Sequence, residues 1–245
     1  MTVLQRAAAI LATWMLCTMP ASALDHSVYA ELLSTYVKPS GVDYASWHRQ
    51  PGDRRALARV LAGYGRIDTE RLAANERKAL LINLYNAAMI KAALDAYPIK
   101  SVTSIGLVPF GIFKKRWIAF DGKTVSLDDI EKGILLKDYP DARVHFAVNC
   151  ASVSCPPLRM KPFVGSRLDA QLDEQTRSFA VSPFAAEVDE DRRRIAFSKL
   201  FKWYKDDFGV ANPAAYLNRY RDEPLPTDYK VDWQDYDWSL NQSGN

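Results

Sequence analysis

Asn75-Glu76-Arg77-Lys78-Ala79-Leu80-Leu81-Ile82-Asn83-Leu84-Tyr85-Asn86-Ala87-Ala88-Met89-Ile90 opens the longest helical stretch of this sequence, which runs to Ala96 before Pro98. Asn75 is a suitable N-cap, Glu76 suits the positive N-terminal end, and Pro98 stops the helix. From Ala79 to Ile90 the residues are apolar almost all round. A helix of that kind is a central, buried one rather than a surface one. The asparagines within it must find hydrogen-bond partners.

Around this helix the sequence predicts shorter elements. His26–Tyr36 reads as an amphipathic helix with Val28, Leu32, Leu33 and Tyr36 on one face, and 54–64 as another, ended by Gly63 and Gly65. Gly41 to Tyr44 reads as a turn into an extended piece, and Gly106 to Phe113 as a loop. Arg116–Phe120 and Lys123–Val125 flank Asp121-Gly122, a tight hairpin turn. Ser126 caps a helix over 127–136, and Arg143–Val148 reads as a strand. Helices follow over 167–179, 198–208 and 214–220, with a second hairpin at 187–197 and a partly extended tail over 229–240. Helices dominate and strands come as hairpins. The expectation is a helix-rich α+β single domain with a central buried helix and a small, mostly antiparallel sheet.

The N-terminus carries its own reading. Arg6 precedes an apolar run of about a dozen residues, shorter than the roughly 20 a spanning helix needs. Ala21-Ser22-Ala23 fits a cleavage site. Residues 1–23 are therefore expected to be a signal peptide, with 24–245 the exported domain, periplasmic or secreted, and no stable membrane span after cleavage. Leu16 makes Cys17 a poor lipid-attachment site. With net charge +3 and no basic block, nucleic acid is not an expected partner; a small molecule or peptide is.

Chemistry concentrates in His145-Phe146-Ala147-Val148-Asn149-Cys150-Ala151-Ser152-Val153-Ser154-Cys155-Pro156. An apolar segment ends in a small polar loop, where sites usually sit. Cys150 is the candidate nucleophile and His145 its candidate base, since a thiolate rather than a thiol attacks carbonyl carbon. Asn83 or Glu76, two helical turns apart, would orient the imidazole or polarise an oxyanion. Asn86, Asn149, Ser152 and Ser154 are candidate binding residues. In a regular strand His145 and Cys150 point to opposite faces, so they meet only if the chain turns at Asn149. The competing structural reading is a Cys150–Cys155 disulfide, worth roughly 2 kcal/mol by chain entropy. Cys-x4-Cys without a partner pair is a weak zinc pattern, so no metal and no cofactor is expected.

Val42-Asp43-Tyr44, Leu81–Asn86, Ser126–Glu131, His145–Ser152, Ser154–Pro157, Phe201–Phe208 and Tyr236–Asn241 resemble, in order, blocks of the DUF547 family. The resemblance runs from about Tyr29 to Asn241. It implies membership in an uncharacterised family found in bacteria and plants, and no activity. Plant members often have Ser where Cys155 stands, which implies that a disulfide is not the family's shared purpose and favours Cys150 as the functional thiol. A distant likeness to papain-like and transglutaminase-like thiol enzymes is a fold-level analogy. Three functions stay open: a thiol hydrolase or acyltransferase, a binding module without chemistry, and a thiol–disulfide protein using Cys150 and Cys155.

Overall fold

The structure is a computed structural model that describes residues 24–244. The segment read above as a signal peptide lies outside the described residues. The elements are α1 (Ser27–Tyr36), β1 (Val37–Lys38), β2 (Gly41–Val42), α2 (Tyr44–His48), α3 (Pro51–Tyr64), α4 (Ala74–Ala96), α5 (Gly111–Lys114), β3 (Ile118–Phe120) and β4 (Lys123–Val125). They continue with α6 (127–138), α7 (Val144–Ala147), α8 (Leu168–Ala180), β5 (Ala186–Asp189), β6 (Arg194–Phe197), α9 (Lys199–Trp203), α10 (Lys205–Phe208), α11 (Pro213–Leu217) and β7 (Lys230–Trp233).

The expected α+β class holds. β1–β2 and β3–β4 are two-stranded antiparallel hairpins; β5 pairs antiparallel with β6, which pairs parallel with β7. The Asp121-Gly122 turn has positive φ at both residues (52° and 70°), the geometry a two-residue hairpin needs. Helix α4 is the hub: from Lys78 to Ile90 every residue is buried. It starts at Ala74 with Ala73 as N-cap, so Asn75 lies inside the helix rather than capping it, and no side chain caps it.

Two apolar clusters build the interior. The larger gathers α1–α4, the β3–β4 hairpin, α6 and the start of α8. The smaller holds Phe146, Phe179, Phe197, Phe201, Phe208 and Tyr216. In α1 it is Tyr29 that joins Leu32, Leu33 and Tyr36 in the core, while Val28 faces outward. Among the described residues no helix is long and apolar enough to cross a membrane.

Three local readings change. Residues 143–148 are not a strand: Val144–Ala147 is one helical turn. Asp141 starts it, its carboxylate accepting the Arg143 N–H at 3.0 Å and its carbonyl the Val144 N–H at 3.0 Å. The run is buried on every side, so it carries no period by which to tell a strand from a helix. Val144 and Ala147 enter the larger cluster and Phe146 the smaller, so this turn rivets the two together. Second, 198–208 breaks at Tyr204 (φ −116°, ψ 32°) into α9 and α10. Third, α6 has π-helical bonding through Asp129–Leu135, a wide turn frequent at functional sites. Its start is a reciprocal cap, in which Ser126 and Asp129 each accept the other's backbone N–H at 3.0 Å.

Candidate active site

A cavity of about 260 Å³ opens where the two clusters meet, with Cys150, Cys155, His145 and Val148 in its wall. The helical turn α7 explains how His145 reaches it: His145 and Val148 are one turn apart on one side, whereas Phe146 points into the smaller cluster. The remaining wall is aromatic and charged, including Tyr85 from α4, Glu131 and Lys132 from α6, Trp203 and Tyr204 from the α9–α10 break, and Tyr236 and Trp238 from the tail.

The cysteine loop is clamped from two sides. Asn86 donates Nδ2–H to the Ala147 carbonyl (2.9 Å) and accepts the Asn149 N–H on Oδ1 (2.8 Å). Asn149 donates to the Pro156 carbonyl (2.7 Å) and accepts the Ala151 N–H (2.9 Å) and the Asn241 amide (3.2 Å). The C-terminal tail forms the other jaw: Val153 N–H donates to Ser239 O (2.9 Å), Asn241 N–H to Ala151 O (2.9 Å) and Asp237 N–H to Ser154 Oγ (2.8 Å). Gly41 lets the tail approach, since a Cβ there would sit 2.3 Å from the Asn241 carbonyl oxygen.

Within this frame Ala151 adopts a left-handed conformation (φ 63°), at a cost of about 1–2 kcal/mol for a residue with a Cβ. The bend folds Ser152 back over the thiol, with Ser152 Oγ 2.9 Å and Tyr236 Oη 3.4 Å from Cys150 Sγ. Cys150 is partly exposed, Cys155 is buried, and both are free thiols. The Cys150 N–H donates to Cys155 Sγ at 3.0 Å. Burial works against ionisation of Cys150, but hydrogen bonds from the Cys155 thiol, Ser152 and Tyr236 outweigh it and lower its pKa. Cys155 moves the other way, held protonated by burial and by its neighbour's charge.

His145 is 2% exposed. Its ring lies 3.9 Å from the Tyr204 ring and its Nε2 is 2.8 Å from Asp207 Oδ2. Burial lowers its pKa, with Asp207 opposing. An ionised carboxylate only accepts, so Nε2 carries the proton and Nδ1 is left as the basic nitrogen. Nδ1 has no hydrogen-bond partner among the described residues.

The other sequence candidates go elsewhere. Asn83 is tied at both ends to Phe163, donating to its carbonyl (2.7 Å) and accepting its N–H (2.9 Å). It lines no wall of the cavity. Glu76 lies in the first turn of α4 against Gly165, where a Cβ would sit 2.6 Å from the Glu76 nitrogen. The structure brings neither to Cys150. Asn86, Asn149 and Ser154 act through the loop's frame, and Ser152 touches the thiol. No local pattern in the sequence singles out Asp207, Tyr236, Tyr204 or Glu131, although all four fall in the blocks quoted above. Among the described residues no group of three or more His, Cys, Asp or Glu side chains is placed to hold a metal ion.

Fold and site thus define an α+β protein with a thiol and a carboxylate-bonded imidazole at one aromatic-walled cleft. The model of DUF547, a protein of unknown function, matches residues 69–180, and the chain carries a domain of that family. The matched stretch holds α4, α6 and the cysteine loop; the α9–α10 break and the tail lie beyond it. No curated protein and no solved structure matches the chain.

Proposed function

We propose that this is an exported thiol-dependent hydrolase or acyltransferase acting on an amide or ester, with Cys150 as nucleophile. The observation that carries the reading is Cys150, a partly exposed residue in the cavity wall whose Sγ is held by two hydroxyls that favour its thiolate. His145, in the same wall, is the base, and Asp207 is its positioning residue through Nε2. The Cys150 proton passes to Nδ1 and Sγ bonds to the carbonyl carbon, whose π electrons move to oxygen. The Ser152 and Tyr236 hydroxyls, 2.9 Å and 3.4 Å from Sγ, are the side-chain donors offered to that oxyanion. Collapse breaks the bond to the amine or alcohol, which leaves with the proton from His145. Water or a second nucleophile, deprotonated by His145, then cleaves the thioester.

The contact between the Cys150 N–H and Cys155 Sγ favours one competing reading, a ligand-binding module closed by a Cys150–Cys155 disulfide. Alkylation of protein purified without reductant, read by peptide mass spectrometry across a pH series, separates the two. Fast labelling of Cys150 well below pH 8.5 that is lost in His145→Ala supports the enzyme. A disulfide that survives mild reductant overturns it.

A further inference from the structure

Glu131 is a carboxylate without a cation. It is 7% exposed, stands on the π-helical turn of α6, and lines the same cavity as Cys150. Its Oε1 accepts the Tyr204 hydroxyl at 2.7 Å. No Lys or Arg among the described residues forms an ion pair with it: Lys132 turns to Asp128 (3.0 Å), and Lys114, which also lines the cavity, is exposed and not paired with it. His145 forms no hydrogen bond with it, since its Nε2 faces Asp207.

A carboxylate removed from water with no cation beside it calls for a counter-charge. The cavity around Glu131 suits one. Tyr236 and Trp238 lie 4.4 Å apart, and Trp203 is 4.9 Å and 5.8 Å from them, ring to ring. Tyr85 and Tyr204 add further rings. Aromatic faces attract cations through their quadrupole, most strongly where water is excluded.

We propose that Glu131, with Trp203, Tyr236 and Trp238, forms a subsite for an alkylammonium group. Resting on the thiol reading above, this makes the substrate of Cys150 an amide or ester that carries a positively charged amine close to its acyl carbon. The charge sits against Glu131, the chain lies along the indoles, and the acyl carbon reaches Sγ. An uncharged or anionic group at that position leaves the carboxylate unpaired and is rejected.

The test is equilibrium binding to the full-length Cys150→Ser protein, which needs no chemistry. n-Butylammonium is titrated by NMR at neutral pH, with n-butanol and butyrate as neutral and anionic counterparts of equal length. The expected result is saturable binding of the ammonium alone. It weakens at least tenfold in Glu131→Gln, which keeps an acceptor for Tyr204 and removes the charge. Trp203→Leu, at a side chain 46% exposed, weakens it independently. Equal affinity for n-butanol, or unchanged affinity in Glu131→Gln, overturns the subsite. Because Cys150 is already replaced, the result stands whether or not that thiol proves reactive. A reactive Cys150 together with no ammonium binding would reject the subsite and leave the enzyme reading intact.

Discussion

Replacing Asn86 by leucine removes the hydrogen-bonding arms that join the central helix to the cysteine loop while keeping the side chain's volume. Asn86 is 3% exposed, so water does not take its place. The Asn149 N–H and the Ala147 carbonyl each lose a partner. A buried group left unpaired costs about 1–3 kcal/mol, so the two together cost roughly 2–6 kcal/mol, and a chain of this size loses about 2–4 °C in Tm per kcal/mol. The expected fall is therefore about 4–24 °C, read by thermal denaturation. Asn83→Leu is the matched control: it too removes two buried backbone partners, the carbonyl and N–H of Phe163, but outside the cavity wall. It should cost a similar amount. Only Asn86→Leu should change the rate at which Cys150 is alkylated in the folded protein, because only it frees the chain at 147–149. A Tm within about 1 °C of the parent for Asn86→Leu, or equal alkylation rates in both variants, would refute the clamp.

The pH profile of Cys150 alkylation should have its midpoint below the ~8.5 of a free thiol, and Ser152→Ala and Tyr236→Phe should each move it upward, as stopped-flow labelling would show. A midpoint unmoved by both would dismiss the hydroxyls as the cause. Asp141, despite burial, is held down to about 2 by Arg143 and Lys78. A depressed carboxylate contributes stability that is complete above its unfolded pKa of ~3.9 and is lost as pH falls through the folded value. Acid melts should therefore decline between about pH 4 and pH 2, and Asp141→Asn should flatten that decline; an unchanged slope counts against it. Gly41→Val should loosen the tail, since the φ of 133° and the carbonyl of Asn241 leave no room for a Cβ. Hydrogen exchange at Val153 and Asn241 reads this directly, and protection equal to the parent's would contradict it.

What the sequence disclosed follows from how each signal is stored. Helix α4 was legible because it is apolar all round, and the β3–β4 hairpin because Asp121-Gly122 supplies two positive φ angles in a row. The turn at 144–147 was not, because a short run buried on every side has lost the period that separates strand from helix. The thiol and its small polar loop were visible as composition. Their partners were not, since Asp207 stands 62 residues beyond His145 and Tyr236 stands 86 beyond Cys150, and only the tertiary path joins them. The two asparagines of α4 make the same point at close range. Three residues apart, they lie about 60° from each other around the helix, and each holds a different loop by its backbone, at 163 and at 147–149. Nothing local says which loop carries the thiol, so a catalytic and a structural asparagine read alike in sequence. The structure resolves this by making both of them fasteners, which puts the rigidity of the cysteine loop in the buried helix, while the side chains that bond to the thiol and the imidazole from a distance in sequence arrive from the α9–α10 break and the tail.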